Sequence, residues 1–240
     1  MMNLNVNWKL KGCSLLLGVM LFSAAPAMAQ KEAKPTKQEQ EAAYIRVTNE
    51  RADKIVANLG VKNKAKALRV RNLIAQQYRD LSYLHEFRDA RVKAAKEGAG
   101  VNKKAAEERK TEIEAFTNQE LEKLHKKYVA NLQAELTPKQ VDGVKDGMTY
   151  GVVPITYKGY QDMLPNLTEE QKKQIWDWLV EAREHAMDAG SSHEKHGWFG
   201  KYKGRINNYL SAAGYDLKKA GDEWQERIKA EAAAKEAAKK

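Results

Sequence analysis

Cysteine is almost missing from this chain: Cys13 is the only one in 240 residues. Prolines number 5 and phenylalanines 4, and nothing after Phe22 stays apolar for the roughly 20 residues needed to cross a bilayer. One thiol cannot make a disulfide framework, and because Cys13 lies in a segment read below as removable, a thiol nucleophile and a thiolate metal site are excluded too. With proline this scarce and only 15 glycines, a collagen-like or low-complexity chain is also excluded. No Gly-x-Ser-x-Gly elbow, phosphate-binding Gly-Lys-Ser/Thr loop or dinucleotide glycine fingerprint occurs. No cofactor is expected from these motifs.

What is present is charge and helical periodicity. Lys and Arg total 42 against 32 Asp and Glu, 42% of residues are apolar, and the mean hydropathy is −0.71. At the start, Lys9 and Lys11 precede an apolar run from Leu15 through Phe22, and Ala27-Met28-Ala29 supplies small residues before Gln30. That is the layout of a secretory signal peptide over residues 1–29, with cleavage after Ala29 and a periplasmic or secreted destination. Its removal leaves 40 basic against 32 acidic residues, a charge of +8, and a mature chain without cysteine. Export makes nucleic acid a poor partner for this positive charge, and acidic molecules a better one.

Residues 30–37 read as a polar linker, 38–228 as a helical domain and 229–240 as a charged Ala/Lys-rich tail. Within the domain, Tyr44, Ala52, Ile55, Val56 and Leu59 repeat at helical spacing up to Gly60. Asn63 can cap a second helix with the stripe Leu68, Leu73, Ile74, Tyr78, Leu81, Leu84 and Val92. Asn102 can cap a third with Ile113, Phe116, Leu121, Leu124, Tyr128, Leu132 and Leu136. Each would reach about 45 Å, and the glycine turn between them makes an antiparallel hairpin. Leu136-Thr137-Pro138-Lys139-Gln140 and Leu167-Thr168-Glu169-Glu170-Gln171 share the pattern Leu-Thr-x-x-Gln. Thr caps a helix and Gln returns a bond to the cap, so each marks a helix start. Residues 149–159, rich in β-branched, Tyr, Gly and Pro residues, read as an irregular Tyr-rich loop. The expectation is an all-α, single elongated domain of six or seven helices.

The densest cluster of informative side chains is residues 192–210. Phe199, Tyr202, Ile206, Tyr209 and Leu210 form a core stripe, and Trp198, Lys201, Arg205 and Asn208 lie beside it. An indole next to cations and amides suits an anionic, ring-bearing ligand, or equally a half-buried Trp among solvated basic residues. Gly197, Gly200 and Gly204 share one helical face, which points to close approach of a helix, of a ligand, or to a loop. His193 and His196 are spaced as two metal ligands without an evident third, so no metal is expected. His85 and His125 flank the long helices as core or boundary imidazoles. Tyr150, Tyr157 and Tyr160 either line a groove or pin the loop.

The segment Ala67-Leu68-Arg69-Val70-Arg71-Asn72-Leu73-Ile74-Ala75-Gln76-Gln77-Tyr78-Arg79-Asp80-Leu81, with Lys201-Tyr202-Lys203-Gly204-Arg205-Ile206-Asn207-Asn208-Tyr209-Leu210 and Gly214-Tyr215-Asp216, resembles a secreted bacterial family, domain of unknown function 3826. The similarity covers most of residues 41–227. It implies export and a glycan-related setting with a suggested sugar-binding role, and it supplies no established catalytic residues. The Leu-Thr-x-x-Gln motifs are also similar to those of small helical periplasmic chaperones related to the spheroplast stress protein.

The leading expectation is non-catalytic binding of an acidic or polar oligosaccharide or polysaccharide. Trp198 would be the stacking platform, Lys201, Lys203 and Arg205 the anion contacts, Asn207 and Asn208 the hydroxyl partners, with Tyr150 and Tyr157 lining a groove. A chaperone or scaffold for unfolded or envelope proteins is the alternative, and a polysaccharide-acting enzyme with a site built from distant helices is a second.

Overall fold

The computed structural model describes residues 35–238; the expected signal peptide at 1–29 and the first part of the linker lie outside them. Among the described residues the chain is all helix: α1 (Lys37–Ala57), α2 (Lys64–Gly98), α3 (Lys103–Glu135), α4 (Pro138–Met148), α5 (Val152–Met163), α6 (Glu169–Met187), α7 (Ser192–Ala212) and α8 (Leu217–Ala237). The helix starts follow the caps read from the sequence. Asn63 accepts from the Lys66 N–H and Asn102 from the Ala105 N–H. Thr137 and Thr168 each form a complete capping box with the Gln three residues on, and Ser191 makes a third with Glu194. Each box satisfies backbone donors that a helix start otherwise leaves bare. Gly60 takes the left-handed φ of +66° that closes α1.

The Tyr-rich stretch is not a loop. It is α5, entered through a short turn at Thr149, Tyr150 and Gly151. Pro154 falls in the first turn of α5, where its missing N–H costs nothing, and Val153 and Tyr160 are buried in the core. Burial of that face outweighs the modest helix propensity of Val, Ile and Thr. The extra helix brings the number to eight among the described residues.

Two apolar clusters result. The first gathers Ala52 and Ile55 of α1, Val70, Ile74, Ala75 and Leu81 of α2, Tyr128 and Leu132 of α3, and Val141, Val144 and Met148 of α4. The second gathers Val153 and Tyr160 of α5, Ile175, Leu179, Ala182 and Ala186 of α6, and Phe199, Tyr202, Ile206 and Leu210 of α7. Helix α6 serves both, because its last residue, Met187, sits in the first cluster. Helix α8 has no buried residue and rests on the second cluster through Leu217 and Ala220, while Arg227 donates to the Asp162 carbonyl near the end of α5. Two residues of the expected stripes are exposed, Leu68 at 58% and Phe116 at 51%. Phe116 lies in the part of the α2–α3 hairpin toward its turn, where a pair of helices cannot cover every apolar residue of both stripes, whereas Leu68 lies at the other end, in the opening turns of α2.

Glycines in α4 set how closely α1 approaches. A Cβ on Gly143 would stand 2.9 Å from Leu59 Cδ2, and one on Gly147 2.8 Å from Ile55 Cγ1. By contrast, a Cβ on Gly197, Gly200 or Gly204 would meet nothing within 4 Å. These three glycines lie on an open face of α7 and permit no close helix approach. Gly147→Ala is expected to lower stability, because displacing buried Ile55 costs about 1–3 kcal/mol and exceeds any propensity gain. Gly197→Ala, Gly200→Ala and Gly204→Ala should each raise it by up to about 1 kcal/mol. Urea unfolding of the four variants measures both signs.

Candidate functional site

A cleft of about 850 Å³ lies where α1, α2, the α4–α5 turn and the α6–α7 corner meet. Its walls follow from the helix geometry above. Tyr44, Arg51 and Lys54 project from α1, which the α4 glycines hold close. Tyr78 and Ser82 come from α2, and Asp146 from α4. Tyr44 donates from its hydroxyl to the Tyr78 carbonyl at 3.1 Å, and the Arg51 guanidinium lies 5.8 Å from the Tyr78 ring centre. Burial pushes the Tyr78 phenol up to about 12, so it stays a neutral hydroxyl near neutral pH.

Tyr150 closes one rim. Its φ of 60° is left-handed, a conformation that costs a side chain other than glycine about 1–2 kcal/mol. The ring is half exposed and stacks on His196 at 5.5 Å and 15°. The α6–α7 corner, next to the His196 on which Tyr150 stacks, presents Gly190, Ser191, Ser192 and Lys195. Glu194 accepts from the Gly190 and Ser191 N–H groups at 2.8 and 3.1 Å, which fixes the corner. Lys195 is 7% exposed and donates from Nζ to the Ala186 and Met187 carbonyls at 3.0 and 3.1 Å. Burial pulls this ammonium down to about 8, with Arg51 acting in the same direction and Asp188 against it.

Charge in the cleft is unbalanced. Asp146 is its only acidic wall residue, and Arg183 already holds that carboxylate at 2.7 Å. Among the described residues neither Arg51 nor Lys54 has a carboxylate partner, whereas many exposed lysines elsewhere are paired along their own helices, as Lys126 is with Glu122.

Behind the cleft runs a polar seam. The buried Arg183 guanidinium of α6 donates to Asp142 at 2.6 Å and Asp146 at 2.7 Å, both on α4. Lys145 pairs with Glu184 at 2.6 Å. His125 Nδ1 lies 2.7 Å from Asp188 Oδ2, and its Nε2 lies 3.5 Å from Glu184. His85 is a core imidazole whose Nε2 sits 2.7 Å from the Asp188 carbonyl, while its Nδ1 has no hydrogen-bond partner among the described residues.

The residues expected from sequence to bind a ligand do not share one cavity. Tyr150 alone lines the cleft. Trp198 stacks on His185 at 4.4 Å and carries the Lys201 ammonium 5.1 Å from its ring. Arg205 lies over Trp178 at 4.5 Å and pairs with Glu181 at 3.7 Å. Trp198, Lys201 and Arg205 thus form a strip along the α6–α7 surface. Asn207 accepts from the Tyr160 hydroxyl at 2.7 Å and so tethers α5. Tyr157 packs edge-on against Trp176. Lys203 and Asn208 are exposed on α7. No three His, Cys, Asp or Glu side chains among the described residues converge as a metal site.

Sequence reasoning missed Arg51, Lys54 and Lys195 as site residues. The available signal was the spacing of Tyr44, Arg51 and Lys54, which puts them along one side of α1; Lys195 had none, since only the corner geometry buries it.

The cleft falls inside a recognised family region: residues 45–230 match the family described as Protein of unknown function (DUF3826). The chain belongs to that family. The match spans every cleft residue named above except Tyr44, which lies one position before it. No curated protein matches the chain.

The Asp188 hydrogen bond, with Glu184 adding to it, raises His125 above the usual histidine value of 6.5. Lys145 opposes this and burial opposes it too. A raised folded value means that this proton-linked stability is fully present below 6.5 and is lost as pH climbs through the higher folded value. Unfolding free energies measured from about pH 5 to 9 should show that loss, and His125→Gln should flatten it.

Proposed function

We propose that this chain is an exported, non-catalytic binder of acidic carbohydrate and that the cleft between α1, α2 and the α6–α7 corner holds the ligand. The observation that carries this reading is the pair of cations without a carboxylate partner among the described residues, Arg51 and Lys54, on a wall shared with Tyr44, Tyr78 and Tyr150. A guanidinium takes a carboxylate or sulfate through paired N–H donors. Tyrosine rings cover the C–H faces of a sugar while their hydroxyls meet its polar edge. Ser192 and Asn58 add short polar groups on the same walls. The positive balance of the whole chain works in the same direction, concentrating acidic ligands near the surface.

The α6–α7 strip offers the same residue types in a different state. Lys201 lies over an indole as Arg51 lies over Tyr78, but Arg205 is also paired with Glu181, so an acidic ligand there would have to compete with a carboxylate of the chain itself. A second reading, the holding of unfolded chains, draws on Tyr83 and Phe116, which are exposed and lie on either side of Phe87 along the α2–α3 hairpin.

Retention of the protein on an immobilised uronic-acid polysaccharide tests the cleft. The double variant Arg51→Ala, Lys54→Ala should lose retention by a factor of about 10 or more, the equivalent of at least one charge-assisted contact, with helicity unchanged. Trp198→Ala with Arg205→Ala should keep it. The reverse outcome would move the site to the α6–α7 strip, and aggregation suppression independent of sugar would favour the second reading.

A further inference from the structure

We propose that the Lys195 amine forms an imine with an oxo acid held in the cleft, meaning a small molecule that carries both a carboxylate and an aldehyde or ketone. The open-chain form of a reducing-end uronic acid is one such molecule, so the inference rests on the cleft being an acidic-carbohydrate site and assigns a chemistry to its inner wall.

Position comes first. Lys195 lines the cleft together with Arg51 and Lys54, and its side chain is almost wholly buried. The two carbonyls of Ala186 and Met187 hold its Nζ at one place rather than letting it sweep through solvent. A carboxylate seated on Arg51 and Lys54 leaves the remainder of a small ligand inside the same walls, within the enclosure that contains the amine. Apart from Asp146, which Arg183 holds, no wall residue is acidic and able to neutralise these cations.

Reactivity follows from the surroundings. Only the neutral amine attacks a carbonyl, and an exposed lysine near 10.4 is neutral in about one molecule in a thousand at pH 7.5. Burial disfavours the charged form of Lys195 most, and with Arg51 on its side it outweighs the opposing carboxylates of Asp188 and Glu194 and brings the amine to about 8, which raises the neutral share to about a quarter at that pH. Desolvation and a cationic neighbour are the two means by which lysines are prepared for imine chemistry. In the reaction the nitrogen lone pair forms the C–N bond as the C–O π pair moves to oxygen. The resulting carbinolamine then loses water. Amine, carbonyl and one proton become a protonated imine and one water, and no oxidant or reductant is consumed.

The test is reductive trapping on the full chain with glyoxylate and sodium cyanoborohydride, whose hydride converts the imine to a stable secondary amine, followed by peptide mass mapping. At about pH 7.5 Lys195 should be labelled at least about tenfold faster than exposed lysines such as Lys139, and its rate should level off above about pH 8 while theirs continues to climb. Lys195→Arg should remove the label. Glucuronic acid should modify the same residue more slowly, with its own larger mass increment, whereas its methyl glycoside, which cannot open to an aldehyde, should raise the melting temperature without any adduct. A melting shift with no preference for Lys195 overturns the imine and leaves the cleft reading standing. Neither a shift nor an adduct overturns both. Should Lys195→Arg fail to fold, the pH profile of the unaltered protein decides, and a Lys195 rate that tracks the exposed lysines overturns the proposal.

Discussion

The grip of Asp142 and Asp146 on Arg183 is the constraint from which the cleft follows. The guanidinium side chain is 4% exposed, and its bonds to two carboxylates of α4 fix that helix against α6. Removing one partner from a buried ion pair typically costs about 3–5 kcal/mol, because the other charge is left without compensation. Once α4 is fixed, its glycines admit α1, and α1 delivers Tyr44, Arg51 and Lys54. Once the last turn of α6 is fixed, its carbonyls are available to Lys195. Both walls of the cleft are therefore referenced to the same three side chains.

The surface carries basic residues in three distinct conditions. Along the outer helices many are neutralised by acids three or four positions away, as Lys126 is by Glu122, an arrangement worth only a few tenths of a kcal/mol per pair and better suited to solubility than to recognition. On the α6–α7 strip they lie over indoles. In the cleft Arg51 and Lys54 stand beside tyrosines with no carboxylate partner among the described residues, a setting that composition alone does not distinguish from the stretch of α7 singled out by its indole and cations. The same residue types occur in both places, and what separates them is whether the chain has already satisfied them.

Much of the fold was legible because caps are local. Asn63, Asn102, Thr137 and Thr168 announce helix starts through side-chain bonds to backbone groups no more than three residues away, and each of the four does so in the structure. The α5 segment was not legible, since its helix depends on burying Val153 and Tyr160 against elements distant in the chain, and local composition argues the other way. Of the residues read from the sequence as ligand-binding, only Tyr150 lines the cleft. Its remaining members come from α1, α2, α4 and the α6–α7 corner, and no spacing within one helix records a meeting of four. The role of Gly143 and Gly147 was likewise hidden, because it consists in what Ile55 and Leu59 occupy.

Helix α6 belongs to both apolar clusters, with Leu179 and Ala186 in one and Met187 in the other. A helix shared in this way cannot remain ordered on one side and melt on the other, because loss of either cluster strips contacts from the same backbone. The two clusters are thereby coupled into one cooperative unit. Cutting the chain between α4 and α5 would yield two fragments that each lack a necessary wall, not two miniature domains.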